Sequence, residues 1–270
     1  MSFQFDHIVH FVHQPLEAMK LIQKMGLHVV EGGRHDHLGT YNALSYFDLS
    51  YIELIGIFDQ QLIDTPDREK YSLKETIRRN PHTNGLRRIA LRSSDLEAEA
   101  ERFRRLGLEV YGPSPLSRRR PDGSLLSWKL LFVGKSDETL DLPFFIEWQE
   151  SDKDRRQDLT QRTIMANHPR GNLSLSAVGY AVKDVEKTIH TWANYLDIKM
   201  ETPFNDEKLK ARGRKLKLEG GDIVFYSPIG NGIVSDILNR RGETPFLITF
   251  SGSEQEEDIQ TLGATYRFTK

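Results

Sequence analysis

Residues 5–12 read FDHIVHFV, and apolar and polar side chains alternate along them as they do in a half-buried strand. The alternation sets Phe5, His7, Val9 and Phe11 on one face and Asp6, Ile8, His10 and Val12 on the other. The period then changes over residues 15–25. Pro15 suits a first helical position, and Leu16, Met19, Ile22 and Met25 form one apolar stripe that Gly26 ends. A short strand at 27–31, the loop GGRHDHLGT and a hairpin of strands 42–47 and 51–57 complete the order strand, helix, strand, strand, strand.

That order returns. A strand at 86–92 precedes a helix capped by Asp95, with Leu96, Ala100, Phe103 and Leu106 inward and Gly107 at its end. A strand at 108–111, a basic loop at 113–123 and strands at 125–133 and 142–148 follow, and a surface helix is expected at 67–80. A third unit begins with a strand at 175–182 and a helix capped by Asp184 with stripe Val185, Ile189, Trp192 and Leu196. Strands at 198–202, 215–219 and 222–227 complete it. The tail reads strand at 246–251, helix at 254–262 and strand at 265–269, half of a fourth unit. The expected organisation is a paired domain over 1–150, a charged linker over 151–171, and the third unit with its partial fourth over 172–270.

Composition narrows the chemistry. The chain has 270 residues and a net charge of −2, without the basic excess of a nucleic-acid binder. It has no cysteine, which excludes disulfides, thiolate metal sites and a cysteine nucleophile. The first residues lack the basic and apolar regions of a signal peptide, and no apolar run approaches the ~20 residues of a membrane span. A soluble, cytoplasmic protein with no nucleic-acid or membrane partner is expected.

Three repeats of strand, helix and three strands weigh more than any single motif. Together with DHIVHFV, GLHVVEGGRHDHLGTYNAL, YIELIGI, SRRRPDGSLLSWKL, LPFFIEW and NHPRGNLSL, they make the chain resemble the vicinal oxygen chelate superfamily, and most closely its glyoxalase-like domain proteins. The resemblance implies an α+β fold in which two βαβββ modules pair and their strands curl into a cup. It also implies metal ligands on the first and last strands of each module. Aligning the repeats puts His7, Glu53 and Glu147 at ligand positions and Arg88 at the fourth, where a protonated guanidinium cannot ligate. The third unit has Ala177 and Phe225 at the positions of His7 and Glu53, so no metal is expected there. Its role is structural, or to close the cup, or to form a subunit contact in a homodimer.

Two acids on apolar strands are costly to bury unless paired or bound to a cation. The set therefore reads either as a divalent metal site, suited to zinc, manganese, nickel, iron or magnesium, or as a metal-free network paired through Arg88. His10, on the other face, reads as a core histidine beneath the first helix. His35 and His37 flank Asp36 in a loop, His168 precedes Pro169 in the linker, and Gly32-Gly33 read as turn glycines. Arg118 and Arg120, before a Pro-Asp-Gly turn, read as a solvated face or as an anion clamp, with Trp128 as an apolar wall.

Two functions follow. One is a metal-dependent isomerase or lyase acting on a small anionic carbonyl or vicinal-oxygen substrate. In it His7 and Glu53 hold the metal, Glu147 ligates and then acts as general base, and Arg88, Arg118, Arg120 and Trp128 bind substrate. The other is a protein that sequesters a small molecule without turnover.

Overall fold

The computed structural model describes residues 3–36, 38–120 and 123–270. His37, Pro121 and Asp122 lie outside the described residues. Strand β1 (Gln4–Phe11) leads to α1 (Pro15–Lys24), then β2 (Val30–His35), β3 (Thr40–Phe47) and β4 (Ser50–Ile57). Short helices α2 (Gln60–Asp64) and α3 (Leu73–Arg78) precede the second module: β5 (Gly85–Arg92), α4 (Leu96–Arg105), β6 (Glu109–Arg119), β7 (Leu125–Gly134) and β8 (Phe144–Trp148). Helix α5 (Asp152–Gln161) occupies the expected linker. The third module is β9 (Gly171–Ala181), α6 (Val185–Leu196), β10 (Phe204–Asp206), β11 (Ala211–Leu216) and β12 (Asp222–Pro228). Helix α7 (Ile233–Arg241) and strands β13 (Thr244–Ser253), β14 (Glu257–Thr261) and β15 (Ala264–Phe268) end the chain.

The first eight strands form one sheet in the order β2-β3-β4-β1-β5-β8-β7-β6. Within each module the first strand pairs in parallel with the last, β1 with β4 and β5 with β8, and β1 and β5 join the modules antiparallel. The other seven strands form a second sheet, β10-β11-β12-β9-β13-β15-β14. This is the α+β fold of repeated modules that the sequence implies. The predicted caps form: the Asp95 carboxylate accepts from Ala98 N at 2.9 Å and that of Asp184 from Lys187 N at 2.9 Å.

Several elements differ from expectation: the strand expected at 198–202 is reduced to an isolated bridge at Met200, and β2 runs into the expected GGRHDHLGT loop. The basic loop is the outer half of β6, because Leu116, Arg118 and the residues between them alternate and pair with β7 down to Arg119–Leu125. Residues 254–262 hold no helix; β14 and β15 make a hairpin whose two turn residues, Leu262 and Gly263, both take positive φ. Helix α7 had no visible signal. No helix among the described residues is long and apolar enough to cross a membrane.

One continuous core lies on the convex sides of both sheets. Phe3, Phe5, Ile8 and Val12 meet Ile22 of α1 and Phe103 of α4 there, and the core runs on to Leu175, Val178 and Tyr180 of β9 and Trp192 of α6. His10 is fully buried at this joint. Its Nδ1 bonds the Tyr266 hydroxyl at 2.7 Å and its Nε2 the Leu262 carbonyl at 2.8 Å. It is a satisfied core histidine, but it packs against the tail rather than under α1.

Candidate functional site

The concave side of the first sheet is a cup, and its floor is set by an irregularity in β1. Pairing with β5 passes from Phe5–Leu91 to His7–Ala90, which leaves Asp6 as an extra, unpaired residue. The bulge sends Phe5 into the core between the sheets and brings Asp6 beside His7. Simple alternation had put Phe5 with His7 and Asp6 opposite. The Asp6 Oδ1 lies 2.7 Å from His7 Nδ1. A carboxylate accepts only, so Nδ1 carries the proton, and in the neutral imidazole Nε2 offers its lone pair to the cup. Glu53 stands there, its Oε2 3.8 Å from His7 Nε2, too long for a hydrogen bond.

Each acid has supports. Glu53 Oε1 accepts from Asn42 Nδ2 at 2.6 Å, and Asn42 Oδ1 accepts from Gly33 N at 2.8 Å. The Gly32-Gly33 pair is therefore no ordinary turn. It lies in β2, where side chains at these positions would collide with Asn42 and Arg118. Asp6 is fully buried. Its Oδ2 accepts from Trp148 Nε1 at 2.9 Å and lies 3.8 Å from Arg155 Nη1, whose guanidinium sits 4.2 Å from the Trp148 ring centre. Burial alone would raise the Asp6 carboxyl, but the His7 bond, then the Arg155 charge, outweigh it and hold it below the usual range. Arg155 belongs to α5, so the expected linker supplies part of the floor.

The walls are apolar. Tyr46, Tyr51, Trp128, Phe144, Ile146 and Trp148 are among thirteen apolar or aromatic side chains facing the cavity, against five polar ones: His7, His35, Asn42, Glu53 and Arg118. His35 Nδ1 lies 3.0 Å from the Thr40 hydroxyl. The His7 ring stacks on Tyr51 at 4.5 Å. Burial pushes the phenols of Tyr46 and Tyr51 up, so both stay protonated. The cavity is about 120 Å³, close to the ~150 Å³ that takes a single benzene ring in a well-studied engineered cavity.

Of the expected site residues, His7, Glu53, Arg118 and Trp128 meet at this cavity, and three do not. Glu147 is turned to the other face of β8, because Ile146 and Trp148 take the cup side. Its carboxylate accepts from Leu96 N at 2.8 Å and pairs with Lys129 at 3.2 Å. It can neither ligate with His7 nor act as base in the cup. Arg88 is fully buried, but its guanidinium donates to the carbonyls of Leu142, Tyr71 and Val133 and does not line the cavity. Arg120 pairs with Asp158 of α5 at 3.1 Å, so it pins the hairpin to the helix instead of clamping an anion. His168, in the expected linker, is buried with its ring on Phe47 at 4.3 Å. It accepts from His28 N at 2.9 Å and bonds the Tyr46 carbonyl at 2.9 Å.

The donors present do not fit the expected metal. A catalytic zinc-type site takes about three protein ligands at ~2.0–2.2 Å. Here His7 Nε2 and Glu53 Oε2 stand alone, and no group of three histidine, aspartate or glutamate side chains suited to a metal exists among the described residues. Asp6 is committed to His7 and Trp148, and Asn42 to Glu53 and Gly33. Asp6, Asn42 and Arg155 were missed from the sequence. Only Asn42 carried a signal, as a polar residue within TYNALSYF whose face is shared by Leu44 and Tyr46.

No curated protein matches the chain significantly. A hypothetical protein from Staphylococcus aureus superposes with a TM-score of 0.80 at 22% identity, covering 99% of this chain and 100% of that one. A mutant of 4-hydroxymandelate synthase from Streptomyces coelicolor superposes with a TM-score of 0.58 at 12% identity, covering 93% of this chain and 71% of that one. At these identities the likeness shows the fold. The model of the glyoxalase-like domain matches residues 5–196, which takes in the whole cup and α5. With that match and the paired modules, the chain belongs to the glyoxalase-like domain family of the vicinal oxygen chelate superfamily.

Proposed function

We propose that the cup binds a small carbonyl compound with one ring-sized apolar body and an anionic end, and moves a proton on it, as an isomerase or lyase does. The observation that carries this reading is the Glu53 carboxylate beside His7 Nε2, 3.8 Å away, on the floor of a cavity with apolar walls. Glu53 takes the proton next to the carbonyl, which leaves an enolate, and returns it to the same or the neighbouring carbon. When His7 is protonated, its Nε2–H faces the carbonyl oxygen and stabilises the charge that develops there, and the ionised Asp6 stabilises the imidazolium. Arg118 has no ion pair among the described residues and offers its guanidinium to the anionic end at the wall. No step is assigned to a metal, since the donor set is incomplete. The thirteen apolar and aromatic lining residues favour a second reading, sequestration without turnover.

The test is exchange of the carbonyl-adjacent proton in D2O, followed by NMR over a panel of single-ring 2-oxo and 2-hydroxy acids. Glu53→Gln should lower exchange at least about 100-fold with the melting temperature unchanged. A compound that binds without exchanging, equally well to wild type and Glu53→Gln, would establish sequestration. Elemental analysis of protein purified without chelator should find no stoichiometric transition metal. One equivalent, lost in Glu53→Gln, would restore the metal-dependent reading.

A further inference from the structure

A second cavity, about 640 Å³, lies where α3 and β5 meet α7 and β13. Five cations line it, Arg79, Arg87, Lys183, Arg240 and Arg241, against two acids, Asp141 and Glu243. Both acids are engaged. Asp141 pairs with Arg79 and accepts from the Thr76 hydroxyl at 2.9 Å. Glu243 accepts from Lys183 N at 2.9 Å and from the Thr139 hydroxyl at 2.8 Å. The side chains of Arg87, Lys183, Arg240 and Arg241 form no ion pair among the described residues.

Arg87 and Arg241 are the unusual members, since both are half-buried. Arg241 donates to the carbonyls of Gly263 at 2.9 Å and Leu86 at 3.1 Å. Arg87 donates to those of Asn80 and Thr83, and its Nε is buried without a partner. Carbonyls orient a guanidinium but do not neutralise it. Burial, then the charge of Arg241, brings Arg87 down to about 10, and burial lowers Arg241 as well. Two like charges partly withdrawn from water without a counterion are costly to keep.

We propose that this cleft binds a compact multivalent anion, a small molecule bearing phosphate groups or several carboxylates, which supplies the missing counter-charge. The guanidinium forks match either oxyanion. The lining holds Leu140 and Pro245 as its only apolar side chains and no aromatic ring, so it has no platform for a nucleobase. The site shares no lining residue with the cup.

The test is calorimetry and thermal melting of the full chain with pyrophosphate and, separately, citrate. At a hundredfold excess over Kd, a bound anion should raise the melting temperature by about 4–8 °C. Arg241→Gln should abolish binding. It also loses two backbone bonds, so the double variant Lys183→Gln with Arg240→Gln, both exposed, keeps the test independent of folding. It should weaken binding at least tenfold. Arg119→Gln, on the exposed hairpin, should leave it unchanged. Binding of pyrophosphate alone identifies a phosphate ligand, and binding of citrate alone a polycarboxylate. No saturable binding of either, or an equal rise in every variant as salting-out would give, overturns the proposal.

Discussion

The two sheets follow the same strand order through their first four strands, yet only the first keeps a polar floor. In the second sheet α7 lies against the concave face. Val234 is fully buried there among Ala181, Val224, Tyr226 and Phe246, with Ile233, Ile237 and Leu238 packed around them. The floor residues are gone as well. In the first module His7 pairs with Tyr51 and Val9 with Glu53; in the third, Ala177 pairs with Asp222 and Gly179 with Val224. With Ala177 in place of His7, the position of Glu53 falls on Val224, not Phe225, which points into the shared core. The difference teaches that the module is a scaffold and that its concave face is optional. An apolar face filled by a helix adds to the core, and a polar floor left open leaves a cavity that a ligand can enter.

The largest effect should come from breaking the filled face. Val234→Asp places an unpaired charge in a closed apolar site and should cost more than about 4 kcal/mol, measured by urea denaturation. A loss under about 1 kcal/mol would mean that α7 does not fill the second sheet.

Acid should act next, at the joints around the open cup. Burial holds His10 and His168 down at about 4, below the usual 6.5. Above pH 6.5 both folded and unfolded chains carry these imidazoles neutral, and the full stability is present. Between pH 6.5 and 4 the unfolded chain binds protons that the folded chain refuses. Stability is therefore lost as pH falls through that window, by roughly 3 kcal/mol for the fully buried His10 and by less for His168. Denaturation midpoints of wild type and His168→Gln across pH 4.5–7.5 test this. A flat wild-type profile would refute it.

A smaller effect should separate the two arginines of the hairpin. Arg118→Ala should weaken binding of an anionic cup ligand about tenfold, or ~1.4 kcal/mol. Arg120→Ala should leave it unchanged, because that side chain is held by Asp158 of α5. Equal losses would return Arg120 to the cup.

How far the site was legible follows from two short runs. In YIELIGI, tyrosine, glutamate and isoleucine line the cup at every second position, and Glu53 could be placed from its strand. LPFFIEW is apolar on both faces, so nothing in its pattern says which way Glu147 points, and a one-residue error of register turns it to the opposite side. The modules were legible because helix stripes and caps are local signals. The Asp6 bulge and the approach of Arg155 were not, since both arise from pairing between segments far apart in sequence. The β14–β15 turn was missed because Leu262 takes a conformation that sequence rules assign to glycine or asparagine.

The smallest effect is the sharpest test of that error. Glu147→Gln keeps an amide oxygen to accept from Leu96 N and removes only the charge opposite Lys129, a side chain 36% exposed. A partly solvated pair of this kind contributes under about 1 kcal/mol. The variant should therefore fold, bind ligand and exchange protons as wild type does. Glu53→Gln, the same chemical change on a strand in the equivalent place, should lose the exchange. Compared in one assay, the two variants differ only in which face of the sheet loses its charge. If Glu147→Gln abolished exchange and Glu53→Gln did not, the reacting face would be the one beneath α4 and the floor built on Asp6 and His7 would have no part in the chemistry.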